Sequence, residues 1–159
     1  MTRFEPMVLD LADALRARGR KIATAESCTG GLIAAACTAV AGSSDWFERG
    51  FVTYSNEAKV ESLGVPMALI AAHGAVSAEV ARAMADGALA HSRATLAIAV
   101  TGIAGPGGAT PGKPVGTVWL AWAAPGAATQ AELLTLPGDR AAVREQTVMH
   151  ALQRLREHA

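Results

Sequence analysis

Seven residues near the middle of the chain, Thr95-Leu96-Ala97-Ile98-Ala99-Val100-Thr101, carry no charge. A run of this length and composition reads as a strand buried on both faces, and such a strand requires helices on both sides of its sheet. The surrounding pattern supplies them. Pro6 to Arg18 reads as an amphipathic helix stopped by Gly19, with Val8, Leu11 and Leu15 on its apolar face. Lys21 to Ala25 reads as a short strand, and Gly30 to Val40 as a helix apolar all round and therefore buried. Phe51 to Ser55 is a β-rich segment. Asn56 to Ser62 and Pro66 to Ala72 are short helices closed by Gly64 and Gly74, and Ser77 caps a longer helix reaching His91. Gly116 to Ala124 and Ala131 to Leu136 are further strands joined through Pro125-Gly126, so one strand is expected to run antiparallel. Asp139 caps a last helix to about Glu157. About five strands interleaved with helices predict a three-layer α/β/α sandwich with a mixed, mostly parallel sheet.

Composition limits what such a domain can do. The chain has 159 residues, enough for one domain with its own core. Its 14 Lys and Arg balance 14 Asp and Glu, so no overall charge draws it to nucleic acid or an anionic membrane. No apolar run approaches the roughly 20 residues that span a bilayer, and the first residues lack a signal-peptide pattern. The two cysteines, Cys28 and Cys37, would lie roughly 13 Å apart along one helix, too far to bridge, which points to a reducing cytoplasm. No Cys/His cluster has metal-ligand spacing, so no metal and no cofactor is expected.

In α/β sheets ligands bind beyond the carboxyl ends of the strands. Three segments follow predicted strands directly: Glu26-Ser27-Cys28-Thr29-Gly30-Gly31, Tyr54-Ser55-Asn56 and Thr101-Gly102-Ile103-Ala104-Gly105-Pro106. Ser27 stands where helix N–H groups would be unpaired, and is either a cap or a nucleophile beside an oxyanion site. Cys28, beside it, would have its thiol activated by a helix N-terminus, or be simple packing. Glu26 could orient the site, bind substrate or make a structural hydrogen bond. Tyr54, the only tyrosine, ends a predicted strand, and Lys59 follows one turn into a helix. A lysine drawn from water gives up its proton more readily and can activate a serine without histidine. The alternative is a solvated lysine beside Glu57 or Glu61. His73, His91, His150 and His158 all fall in or at the ends of predicted helices, away from Ser27 in sequence. The loop from Gly102 to Pro114 exposes backbone N–H groups at Gly105, Gly107, Gly108 and Gly112. Lys113 and Arg140 could add charge for an anion.

Taken together, these segments resemble the CinA C-terminal-domain family. The likeness is carried by Thr24 to Gly31, by Ala41-Gly42-Ser43-Ser44 with Trp46-Phe47, and by Gly50 to Lys59. It continues through His73 to Ser77, Thr101 to Pro106 and Lys113 to Val118, and runs from about residue 6 to residue 156. Larger members carry an additional N-terminal domain, so this chain looks like a stand-alone form, a single domain over residues 1–159. The resemblance implies hydrolysis of nicotinamide mononucleotide to nicotinic acid mononucleotide and ammonia. It implies a catalytic set of a serine nucleophile at Ser27, a tyrosine at Tyr54 and a lysine at Lys59, the last two relaying protons. Substrate contacts are expected from Glu26, Cys28, Thr29, Gly30, Gly31, Asn56, Thr101, Gly102, Gly105, Lys113 and Arg140. A homodimer is expected on the same ground. The competing expectation is a module that binds or senses pyridine nucleotides without turnover.

Overall fold

A computed structural model describes residues 1–159. Five strands form one sheet in the order β2-β1-β3-β4-β5, with β1 Ile22–Glu26, β2 Phe47–Val52, β3 Leu96–Gly102, β4 Thr117–Ala123 and β5 Gln130–Thr135. β1 pairs in parallel with both β2 and β3, whereas β4 runs antiparallel to β3 and to β5. Four strands therefore point one way and β4 the other, as the Pro125-Gly126 turn predicts. Six helices cover the sheet: α1 Glu5–Ala17, α2 Leu32–Thr38, α3 Asn56–Leu63, α4 Met67–His73, α5 Ala78–Ala90 and α6 Arg140–His158.

The two faces of the sheet differ in side-chain size. Ile22, Leu96, Ile98, Val100, Val118 and Leu120 join α1, α2 and α6 in one apolar cluster. The alternate residues, Ala23, Ala25, Ala97, Ala99, Ala121 and Ala123, meet α3, α4 and α5 in the other. Strand alternation sends large residues to one side and alanines to the other. Small side chains let α5 lie close to the sheet. At Gly87 of α5 an added Cβ would stand 2.0 Å from the carbonyl oxygen of Leu63, the last residue of α3.

Two boundaries differ from expectation and both bear on function. β2 begins at Phe47 rather than Phe51 and ends at Val52, so Tyr54 lies beyond the strand instead of closing it. A side chain at Gly50 would come within 2.8 Å of Thr24 Oγ1, so the glycine permits close approach within the strand pair. α2 begins at Leu32 rather than Gly30, because Gly30 and Gly31 adopt φ of +57° and +102°. Cys28 is therefore outside the helix that holds Cys37, and both thiols are free.

α2 carries the chain from β1 out to β2, and α3, α4 and α5 carry it back past β1 to β3, so the strand order reverses at β1. A crevice opens at such a point beyond the strand ends. The segments after β1, β2 and β3 all reach it.

Candidate active site

Ser27 follows β1 directly, and its N–H donates to Val100 O at 3.0 Å, extending the β1–β3 ladder by one residue. Thr53 N–H donates to Glu26 O at 2.9 Å and does the same for β1–β2. Ser55 then caps α3 by accepting from Ala58 N at 3.0 Å, which sets Lys59 one turn into the helix. The result is a contact between residues 32 positions apart: Lys59 Nζ lies 3.0 Å from Ser27 Oγ. Lys59 Nζ also donates to Thr53 O at 2.9 Å and approaches Ser55 O at 3.5 Å.

Lys59 is only 1% exposed. Burial lowers its pKa, opposed by the nearby Cys28 thiol. A neutral amine has two N–H groups and one lone pair. Here the carbonyls of Thr53 and Ser55 are available to the two hydrogens, which leaves the lone pair to the Ser27 hydroxyl. The surroundings thus favour the protonation state a base requires.

Burial has the opposite consequence for Cys28. It raises the thiol to about 11, outweighing its own backbone hydrogen bond, so the activated cysteine expected of a helix N-terminus is not realised. The helix donors are also taken. Glu26, fully buried, accepts from Ile33 N at 2.8 Å, Ala34 N at 3.0 Å and Thr29 Oγ1 at 2.7 Å. Glu26 is therefore the cap of α2. The hydrogen bond from Gly30 N to Ser27 O, 3.0 Å, closes the turn between them. Apart from the contact of the Cys28 N–H with its own thiol, the N–H groups of Cys28 and Thr29 donate to no other residue.

A cavity of about 300 Å³ opens over Ser27, Lys59 and Cys28. Asn56, Thr101, Gly102, Gly105 and Arg140 line it as the sequence suggests, and so does Tyr54. Tyr54 makes no hydrogen bond with Lys59 or Ser27. Its hydroxyl, on a ring 60% exposed, accepts from Arg140 Nη2 at 3.0 Å, while Arg140 Nη1 donates to Gly105 O at 2.9 Å. Arg140 has no carboxylate partner. Thr101 Oγ1 is turned to Ala75 O, 2.9 Å away.

Glu26, Thr29, Gly30, Gly31 and Lys113 do not line the cavity. The first four build the turn and cap beneath Ser27, and Lys113 donates to His73 O at 2.9 Å, tying its loop to the end of α4. None of the four histidines reaches the cavity. No three His, Cys, Asp or Glu side chains come together as metal ligands would.

Two features escape the sequence. Ala75 and Val76, between α4 and α5, form part of the cavity wall. Arg144 donates from Nε to Cys28 O and from Nη2 to Thr29 O, both at 3.2 Å. Its spacing of four from Arg140 places both on one face of α6, which is the signal that would have revealed it. Beyond Arg140 a second hollow of about 600 Å³ contains Gly138, Asp139 and Arg144.

The model of the CinA C-terminal domain family matches residues 5–159. The chain belongs to this family. A "CinA-like protein" of Akkermansia muciniphila is 57% identical over 132 residues, 83% of this chain but 32% of that protein. A relative from Symbiobacterium thermophilum is 57% identical over 152 residues, 36% of its length. The chain thus spans about a third of these longer relatives. "Nicotinamide-nucleotide amidohydrolase PncC" of Escherichia coli K12 is 52% identical over 157 residues, covering 98% of this chain and 95% of that one. The crystal structure of competence/damage inducible protein CihA from Agrobacterium tumefaciens superimposes with a TM-score of 0.93 at 46% identity, covering 96% and 93% of the two chains.

Proposed function

We propose that this CinA-family domain is a nicotinamide-nucleotide amidohydrolase that converts nicotinamide mononucleotide to nicotinic acid mononucleotide and ammonia. The observation that carries the reading is the buried 3.0 Å contact between Lys59 Nζ and Ser27 Oγ. A module that only binds nucleotides has no use for a desolvated amine aimed at a hydroxyl. The full-length likeness to proteins named for this activity supports the substrate class.

In the first step neutral Lys59 takes the Ser27 proton as Oγ bonds to the carboxamide carbon, and the carbonyl oxygen becomes an oxyanion. The N–H of Cys28, bonded to no other residue and beside Ser27 on the cavity wall, is the donor for that charge; losing one such donor typically costs about 10²- to 10³-fold in rate. The Lys59 ammonium then returns its proton to the leaving nitrogen, the C–N bond breaks, and ammonia departs from an acyl-Ser27 ester. Water attacks the ester while Lys59 accepts its proton. The Ser27–carbon bond breaks and Oγ recovers a proton, leaving the carboxylate product.

Tyr54 and Arg140 enter this reading as the outer wall. With Arg140 bonded to Tyr54 and free of any carboxylate, its guanidinium can meet the substrate phosphate. The N–H groups of Gly107 and Gly108 donate to nothing within the chain and can join it. The same reading places the enzyme in the cytoplasm as a homodimer, which light scattering checks. No helix is long and apolar enough to cross a membrane.

The decisive experiment incubates purified protein with nicotinamide mononucleotide and follows ammonia. Turnover that disappears in Ser27→Ala and persists in Cys28→Ala is expected. Tight binding without ammonia release by the wild-type protein would leave the sensing module as the better description.

A further inference from the structure

We propose that Arg144 is a positioning residue for the oxyanion donors next to Ser27; the inference rests on Ser27 being the nucleophile. Arg144 lies 116 residues from Cys28 in sequence, on the face of α6 turned toward the Ser27 turn. Its guanidinium holds two successive carbonyls, Cys28 O and Thr29 O, each at 3.2 Å. It has no carboxylate partner, so these carbonyls are its principal attachment.

The consequence follows from peptide planarity. In a trans peptide the C=O and N–H point in opposite directions, so fixing one fixes the other. Drawing Cys28 O toward Arg144 turns Thr29 N–H away from the arginine. Drawing Thr29 O the same way turns Gly30 N–H away as well, onto Ser27 O at 3.0 Å. With Ser27 O held by that bond, the Cys28 N–H on the other side of the same plane is held too. Arg144 thereby sets the Cys28–Thr29 plane and, together with Leu32 N–H, the Thr29–Gly30 plane that reaches Ser27 O, so the Cys28 N–H, bonded to no other residue, is presented beside the nucleophile.

Leu32 N–H also donates to Thr29 O, at 3.1 Å, so Arg144 is a second hold on that carbonyl and the only one on Cys28 O. Glu26 fixes Thr29 by its hydroxyl and α2 by its first amides, but touches none of these carbonyls. Gly30, at φ +57°, lacks a side chain to stiffen the turn. A planar fork that satisfies two acceptors at once is what arginine offers and lysine does not.

The test compares Arg144→Met and Arg144→Lys with wild type in nicotinamide mononucleotide hydrolysis, at a temperature where circular dichroism shows each folded. A misplacement near 1 Å costs roughly 10²-fold, so Arg144→Met should lower kcat about 100-fold while KM stays within about threefold. Arg144→Lys, which can hold one carbonyl, should recover about tenfold of that loss. The pH at which activity rises should not move, because Lys59 is untouched. Should Arg144→Met fail to fold, the Lys variant alone must still show reduced kcat at unchanged KM. A kcat within threefold of wild type in either folded variant overturns the proposal. So does a loss appearing in KM, which would make Arg144 a ligand contact in the neighbouring hollow. Ser27→Ala, run in parallel, separates the premises: if it keeps turning over, the nucleophile reading fails first. If it is inactive while Arg144→Met is not, only the positioning role is lost.

Discussion

Replacing Lys59 with methionine separates chemistry from folding more cleanly than any other change in this site. The side chains have similar length, so methionine fills the same slot between α3 and the end of β1. The lost N–H donors leave the Thr53 carbonyl without its 2.9 Å partner in a buried setting, a cost of about 1–3 kcal/mol. Against this, the variant no longer buries an amine whose charged form is disfavoured there. The balance is a destabilisation of about 1–2 kcal/mol, or roughly 2–8 °C in Tm for a domain of this size. The effect on rate is far larger. A positioned acid–base group contributes about 10²- to 10⁴-fold, which is about 3–5 kcal/mol of barrier at 1.36 kcal/mol per decade. Lys59 is called on in both acylation and deacylation, so kcat should fall at least 10³-fold by the same estimate. Coupled detection of ammonia gives the rate, and a thermal melt gives the stability. A folded Lys59→Met enzyme within tenfold of wild type would refute the assignment of Lys59 as base.

The pH dependence has a definite sign. The folded Lys59 pKa lies below that of a free lysine, so the neutral amine, and with it kcat/KM, should rise with pH and level off before an ordinary lysine would titrate; a flat alkaline profile with chemistry rate-limiting contradicts this. Linkage predicts the same direction for stability. Between the folded and unfolded values the unfolded chain binds more protons, so the Lys59 contribution grows as pH rises and is lost as pH falls through the folded value, a trend absent from denaturant titrations of Lys59→Met. Cys28, 5% exposed and raised to about 11, should resist iodoacetamide at pH 8, as followed by mass spectrometry. Glu26→Ala removes three hydrogen bonds and the cap of α2, and urea titration should register a loss of about 2–4 kcal/mol. Gly87→Ala forces α3 away from α5 at Leu63 O, and should lower kcat about tenfold or more as the Lys59–Ser27 contact opens.

The strand and helix order is legible in the sequence because hydrophobic periodicity and glycine stops are local signals. The run around Ile98, the Ser77 and Asp139 caps and the Gly64 stop each act over a few residues. Ser27 and Lys59 are legible as candidates for the same reason, each sitting just past a strand. Their contact is not, because it depends on β2 lying beside β1 in a fixed register. The start of β2 is not legible either, since the purpose of Gly50 is visible only against Thr24 across the sheet. Glu26 reads as a ligand contact because a carboxylate beside a nucleophile suggests chemistry, whereas its partners are amides up to eight residues ahead. Arg144 leaves only its helical spacing from Arg140 as a sequence signal, because it acts on backbone carbonyls, which carry no side-chain signature.

Placing the amine beyond an edge strand couples catalysis to a rim of the sheet. β2 pairs on one side only, and much of it faces solvent. When it frays, the hydroxyl stays on the interior strand while the amine departs with the loop that follows. Warming should therefore extinguish turnover before the bulk of the helices melts, and the enzyme's own rate becomes a gauge of whether this edge strand is zipped into place.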